Sequence, residues 1–180
     1  GTRRRDRPTD LHVDGPVDVS VVVVRAAILT AYGPPEVLQL QEVDKPVPKP
    51  GELLVRVCAT TVTAGDSELR SSRLPWLFWI LVRIWLGLFK PKPKTILGME
   101  FAGVVESVGG GVQRFRPGDG VFGASGMGFG SYAEYVCVRA DGIVAHKPPG
   151  LSFEHAAAVP VGGLAALGYL RRGGVGRGKD

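Results

Sequence analysis

A run of hydroxyls closes on a single carboxylate at Thr60-Thr61-Val62-Thr63-Ala64-Gly65-Asp66, where a β-branched segment gives way to a loop and then to a short helix predicted to begin near Asp66. Hydroxyls and a carboxylate gathered at a strand end can orient a polar ligand. Asp66 can equally serve to cap the helix that follows. A second pattern, Gly98-Met99-Glu100-Phe101-Ala102-Gly103, sets one carboxylate among apolar and small neighbours. Small residues admit close backbone approach, and a carboxylate buried there needs a partner, structural or catalytic.

Metal chemistry would require Cys, His or carboxylate side chains at ligand spacing. Here His12, His146 and His155 are scattered, and Cys58 and Cys137 each stand alone in a strand-like apolar run, where they read as small core residues. No zinc site is expected from this chain alone. Gly173 to Lys179 has the spacing G-x-x-x-x-G-K of a phosphate loop, but Asp180 stands where a magnesium-binding hydroxyl belongs and the residues before it read as helix rather than strand. A flexible link is the expectation.

The elements that must position these residues are mostly short strands, predicted over Val19–Leu29, Val37–Val43, Leu53–Val62, Phe101–Val108, Tyr132–Val138 and Ile143–Ala145. Leu53, Val55, Val57 and Ala59 alternate with Glu52, Leu54, Arg56 and Cys58, the period of a strand with one face turned to a core. Glycine and proline clusters at 33–35, 46–51, 109–111, 117–120 and 148–150 punctuate the strands as turns. A compact β-barrel follows from this pattern. Ser152 is expected to cap a helix through Ala158, Pro160 to break it, and Leu164–Arg172 to form a second helix ended by Gly173-Gly174. Residues 1–18, rich in Arg, Asp and Pro without a hydrophobic period, read as a disordered or foreign extension.

The formal charge is +5, but much of the excess sits at the two ends, in Arg3, Arg4, Arg5 and Arg7 and again in Arg171, Arg172, Arg177 and Lys179. No basic stripe with interleaved aromatics remains for a nucleic acid. Two isolated cysteines and the absence of an export signal point to the cytoplasm. The stretch Leu74 to Phe89 (LPWLFWILVRIWLGLF) holds all three tryptophans. It falls short of the roughly 20 residues a membrane-spanning helix needs, and Arg83 lies at its centre. Its aromatics leave no clear polar face, so it reads as a buried or substrate-facing cover in preference to a membrane-surface segment.

Taken in order, the segments Arg25-Ala26-Ala27, Tyr32 to Leu38, Pro48 to Val55, Ile96 to Gly103, Phe115 to Phe122, Gly130 to Tyr135 and Ala156 to Pro160 resemble the N-terminal GroES-like catalytic domain of quinone oxidoreductase-like members of the medium-chain dehydrogenase/reductase superfamily. The resemblance implies a mainly β fold, a partly open GroES-like barrel with short peripheral helices over residues 19–150. It also implies that residues 151–180 form the first helices leading to a Rossmann domain beyond Asp180. Zinc alcohol dehydrogenases of the same superfamily would place cysteine where Thr63 stands and histidine where Met99 stands, so the likeness is to the zinc-independent branch.

What the resemblance implies for chemistry is hydride transfer from NADPH (or NADH) to a quinone, enone or carbonyl substrate. Thr63 and Asp66 would approach the nicotinamide and substrate as catalytic and cofactor-binding residues. Ala165 stands where a threonine commonly meets the nicotinamide amide, and Glu68 where a tyrosine is common. Trp76, Phe78, Trp79 and Trp85 would cover the substrate. A homodimer is expected of the full-length protein, and little activity of this segment by itself; the alternative is a non-catalytic interaction module that keeps the fold.

Overall fold

The computed structural model describes residues 22–73 and 75–174. The expected N-terminal extension at 1–18 and most of the glycine-rich link at 173–179 lie outside those residues. Among the described residues seven strands form: β1 Val23–Leu29, β2 Leu38–Asp44, β3 Glu52–Thr60, β4 Glu100–Val108, β5 Gly120–Ala124, β6 Tyr135–Arg139 and β7 Ile143–His146. Four α-helices accompany them there: α1 Ala64–Ser71, α2 Trp76–Leu86, α3 Phe153–Ala157 and α4 Pro160–Arg172.

β1 and β2 pair as an antiparallel hairpin, and the other strands form one antiparallel sheet in the order β6-β3-β4-β5-β7. The two outer strands are not paired with each other, yet Val136 and Val138 of β6 share one buried cluster with Val144 of β7. The sheet therefore curls until its edges approach across Leu53, Val55, Phe101, Val105, Phe115 and Val121, giving a partly open barrel. Two register shifts between β3 and β4, at Leu54/Val55 and Val57/Ala59, supply local bend and twist. Gly103 lies at the second; a Cβ there would fall 2.1 Å from Arg56 O, so no other residue fits without moving β3.

The hairpin is held to the sheet by backbone bridges Ala26↔Ala133 and Ile28↔Ile96. Arg25 reinforces the first: its Nε and Nη2 donate to Glu134 Oε1 at 2.9 and 2.8 Å, and its backbone N–H donates to Oε2 at 2.9 Å. These bonds, the backbone one foremost, hold the Glu134 carboxyl below the usual carboxylate range.

Several expectations need correction. Gly120–Ala124 is a strand where none was expected, the turn read at 117–120 ending on its first residue; two glycines in five residues hide its apolar alternation, and pairing to β4 and β7 on both sides supplies what propensity lacks. Tyr132 to Glu134, expected within a strand, form the loop that receives the hairpin, and β6 starts at Tyr135. α3 ends at Ala157, ahead of Pro160 as expected, but the second helix begins at Pro160 and not at Leu164, using the first-turn position where the missing N–H costs nothing. Cys58 is exposed, since even positions at the end of β3 face outward. α2 is not a buried cover: Trp76 is 75 % exposed and Phe78 60 %. No helix among the described residues is long and apolar enough to cross a membrane.

Candidate functional site

β3 delivers Thr60 to the sheet end, and the chain turns there into α1. Thr63, in extended conformation, is the N-cap, and its hydroxyl accepts from the Asp66 N–H at 3.2 Å. Asp66, three residues on, answers with Oδ2, which accepts from the Thr63 N–H at 3.0 Å and the Thr63 hydroxyl at 2.7 Å. This is a reciprocal capping box, so the cap is Thr63 and Asp66 is the third residue of the helix, not its first. Asp66 is buried, 2 % exposed, and its Oδ1 accepts from Gly98 N at 3.2 Å. The carboxylate thus ties the helix start to the turn that precedes β4.

Gly98 sits in that turn at φ +93°, and a Cβ on it would meet Tyr132 Cδ1 at 2.5 Å. Tyr132 packs over the turn with its hydroxyl buried and without a hydrogen-bond partner among the described residues. Burial first, and the nearby Asp66 carboxylate second, push its pKa above the ordinary tyrosine value. Tyr132 belongs to the site and was not singled out from sequence; the signal was its position in Gly130-Ser131-Tyr132, a glycine-led loop with a large polar aromatic.

Met99 follows Gly98. A Cβ built on Gly65 would lie 3.4 Å from Met99 Cε and 3.6 Å from Thr63 Oγ1, so the thioether and the hydroxyl converge on the first turn of α1. Among the described residues, no three His, Cys, Asp or Glu side chains come together in a way that could hold a metal ion.

Glu100, at the start of β4, is 4 % exposed and fully partnered. Its Oε2 accepts from the Thr61 hydroxyl and its Oε1 from the Val161 N–H at 2.8 Å. The partner that burial demanded is thus structural: Glu100 joins the loop after β3 to the first turn of α4, where a negative charge also meets the positive end of the helix. Thr60 completes the tie by donating to Glu100 O at 2.7 Å.

Two backbone donors of α1 remain. The capping box uses the N–H groups of Thr63 and Asp66, and Ser67 N donates to Thr63 O, which leaves Ala64 N and Gly65 N without partners among the described residues. Ala64 is exposed and Val62 is 77 % exposed. Val62 lines an open groove of about 620 Å³, mostly apolar, with Ala27, Val57, Ala59, Thr60 and Tyr132 among others, while Ala64 lines a second of about 710 Å³ with Glu68, Arg70 and Arg73.

The aromatic residues are not gathered at this loop. Trp85 rests on Phe129 with ring centroids 5.3 Å apart, and Trp79 lies under Arg83, whose guanidinium is 5.0 Å from its ring and 3.8 Å from that of Tyr32. Trp76 and Phe78 point away from the body. Ala165 is exposed on α4.

The family profile described as the alcohol dehydrogenase GroES-like domain matches residues 49–149. The chain belongs to that family. This GroES-like chain is 37% identical over 142 residues to a quinone oxidoreductase of Pseudomonas aeruginosa, which covers 79% of this chain and 39% of the relative. Among solved structures it resembles the quinone oxidoreductase of Coxiella burnetii, with TM-score 0.72 and 29% identity over 84% of this chain and 45% of that one. It is also similar to the Escherichia coli quinone oxidoreductase complexed with NADPH, with TM-score 0.66 and 30% identity over 84% of this chain and 40% of that one. The chain spans less than half the length of these relatives. It is a quinone oxidoreductase-like member of the medium-chain dehydrogenase/reductase superfamily, with the fold that membership implies.

A nicotinamide dinucleotide would find only part of its binding surface on the described residues. Val62 and Ala64 offer exposed apolar area on which a nicotinamide ring could lie. The one G-x-G-x-x-G spacing in the sequence, Gly118 to Gly123, runs into strand β5, where the turn that takes a pyrophosphate would open a helix.

Proposed function

We propose that this domain is the substrate-positioning half of a zinc-independent, NAD(P)H-dependent reductase acting on quinones or related enones and carbonyls. The observation that carries the reading is the convergence of Thr63 and Met99 on Gly65, a hydroxyl and a thioether at the two positions where the resemblance to zinc enzymes would put ligands, beside two unpartnered N–H groups. A thioether and an alcohol are poor ligands for Zn²⁺.

Bound reduced nicotinamide would supply the hydride. The chain's own part is orientation and charge stabilisation. The N–H groups of Ala64 and Gly65 point out of the positive end of α1 and are fixed there by the capping box, so they can receive the negative charge that grows on the acceptor oxygen. Thr63 and Asp66 spend their polar groups on each other and on Gly98, and act as positioning residues for those amides. The 620 Å³ groove gives a flat ring an apolar bed.

Residues 19–150 are proposed to form this catalytic domain and 151–180 a connector to a cofactor-binding domain, with the full-length protein a cytoplasmic homodimer and this segment nearly inactive alone. The test is steady-state oxidation of NADPH and of NADH by the full-length protein with 1,4-benzoquinone, an α,β-enone and a primary alcohol–NADP⁺ pair. Turnover with the quinone or enone and little with the alcohol is expected. Faster alcohol oxidation, or no oxidation of either cofactor with any acceptor, would defeat the proposal.

A further inference from the structure

The amphipathic order of α2 is inverted. Trp79, Val82, Arg83 and Leu86 form the stripe that meets the body of the domain, and the only charged residue of the helix is on it. Arg83 stacks on Tyr32, donates to Ser72 Oγ at 3.0 Å and to Leu88 O at 2.9 Å, and so is held against the body of the domain. The outward face is Trp76, Leu77, Phe78, Leu81 and Ile84, each at least 55 % exposed, and it continues past the helix into Leu88 and Phe89, the latter 89 % exposed. A contiguous apolar face of this kind on a protein surface is held there for a partner.

Its charge surroundings say which partner. Between Glu68 and Glu100 the sequence has no Asp or Glu, while Arg70, Arg73, Arg83, Lys90, Lys92 and Lys94 all fall within it. Arg73, just before the helix, and Lys90 and Lys92, just after it, are exposed, and none is engaged in an ion pair among the described residues; Lys94 pairs with Asp44 at 3.3 Å on the surface. Tryptophan and phenylalanine between two basic flanks match the interface of an anionic bilayer, where rings enter the headgroup boundary and cations meet lipid phosphates. A second protein surface of ordinary composition would give those cations no such continuous field of negative charge.

We infer that α2 is a peripheral membrane-docking element that lays its outward face into the surface of an anionic lipid bilayer. It enters only the interface, since the helix is too short to cross. This inference does not rest on the reductase reading, because it uses neither the α1 loop nor turnover.

Flotation of the full-length protein with vesicles of phosphatidylcholine containing phosphatidylglycerol, and with phosphatidylcholine alone, tests it. Association with the anionic vesicles that weakens at high salt is expected. The variant Trp76→Ser, Phe78→Ser, Leu81→Ser, altered only at exposed positions, should keep its circular dichroism and lose about a hundredfold in partitioning. Lys90→Gln and Lys92→Gln should each cost about fivefold. Equal recovery with both vesicle types, no flotation at all, or flotation unchanged in the triple-serine variant would overturn the inference. Loss of a dimer in that variant without any vesicle association would reassign the face to a second copy of the chain and overturn it as well.

Discussion

Ala64→Pro separates the proposed role of the α1 amides from any role in folding. Ala64 is the first residue of the helix, and Thr63 before it has φ −90° and ψ 164°, the extended conformation that a following proline requires. Its N–H has no partner among the described residues, and its side chain is exposed, so the substitution removes no hydrogen bond and fills no packed space. Stability should therefore hold or rise by up to about 1 kcal/mol, through the lower entropy of the unfolded chain. Activity should fall. Loss of one oxyanion donor costs about 2.7–4 kcal/mol where the donor is fully enclosed. With Gly65 N–H left to share the charge and the loop open to solvent, roughly half of that remains, about a tenfold to thirtyfold loss in kcat/KM for the quinone. Ala64→Gly keeps the N–H and should stay within about threefold of the parent, which controls for loop geometry. The assay is NADPH oxidation by the full-length protein, paired with urea unfolding. A proline variant that unfolds at the parent midpoint and retains its kcat/KM would refute the assignment of those amides.

Asp66→Ala removes the acceptor for Gly98 N–H and for both Thr63 donors; it should destabilise the full-length protein by about 3 kcal/mol in urea unfolding, against about 1 kcal/mol for an ordinary lost cap. Gly103→Ala would place its Cβ 2.1 Å from Arg56 O, and soluble expression should collapse while Gly110→Ala, with no atom within 4 Å of its Cβ, expresses normally. Burial pushes the Cys137 thiol up to about 11, so the neutral form dominates at neutral pH and iodoacetamide labelling of Cys137, followed by mass spectrometry, should climb tenfold per pH unit from pH 8 towards 11. Exposed Cys58 should be labelled well ahead of it at pH 8.

The strands were legible where apolar residues run with period two, as in β3, because burial on one face leaves a direct trace in residue type. β5 was not, since Gly120 and Gly123 carry no side chain to alternate and the strand exists through pairing on both sides. The loop Thr60 to Asp66 stood out in sequence, but the division of labour within it did not. Whether Asp66 faces a ligand or closes a capping box depends on the φ and ψ of Thr63 and on the arrival of Gly98 from a turn thirty-two residues away. The partner of Glu100 was equally hidden: a backbone N–H at Val161, sixty-one residues on, has no signature in residue type. α2 misled for a different reason. A helix apolar on nearly all sides is ordinarily buried, and only the side on which Arg83 finds Tyr32 and Ser72 shows that its apolar majority is turned outward.

The sharpest trial of a reductase site that works without metal is the zinc content of the full-length protein, measured together with its quinone turnover before and after exhaustive chelation. Full activity in a preparation lacking stoichiometric zinc, unchanged by chelator and by added Zn²⁺, is the expected result. Tightly held zinc whose removal abolishes turnover and whose return restores it would contradict the account.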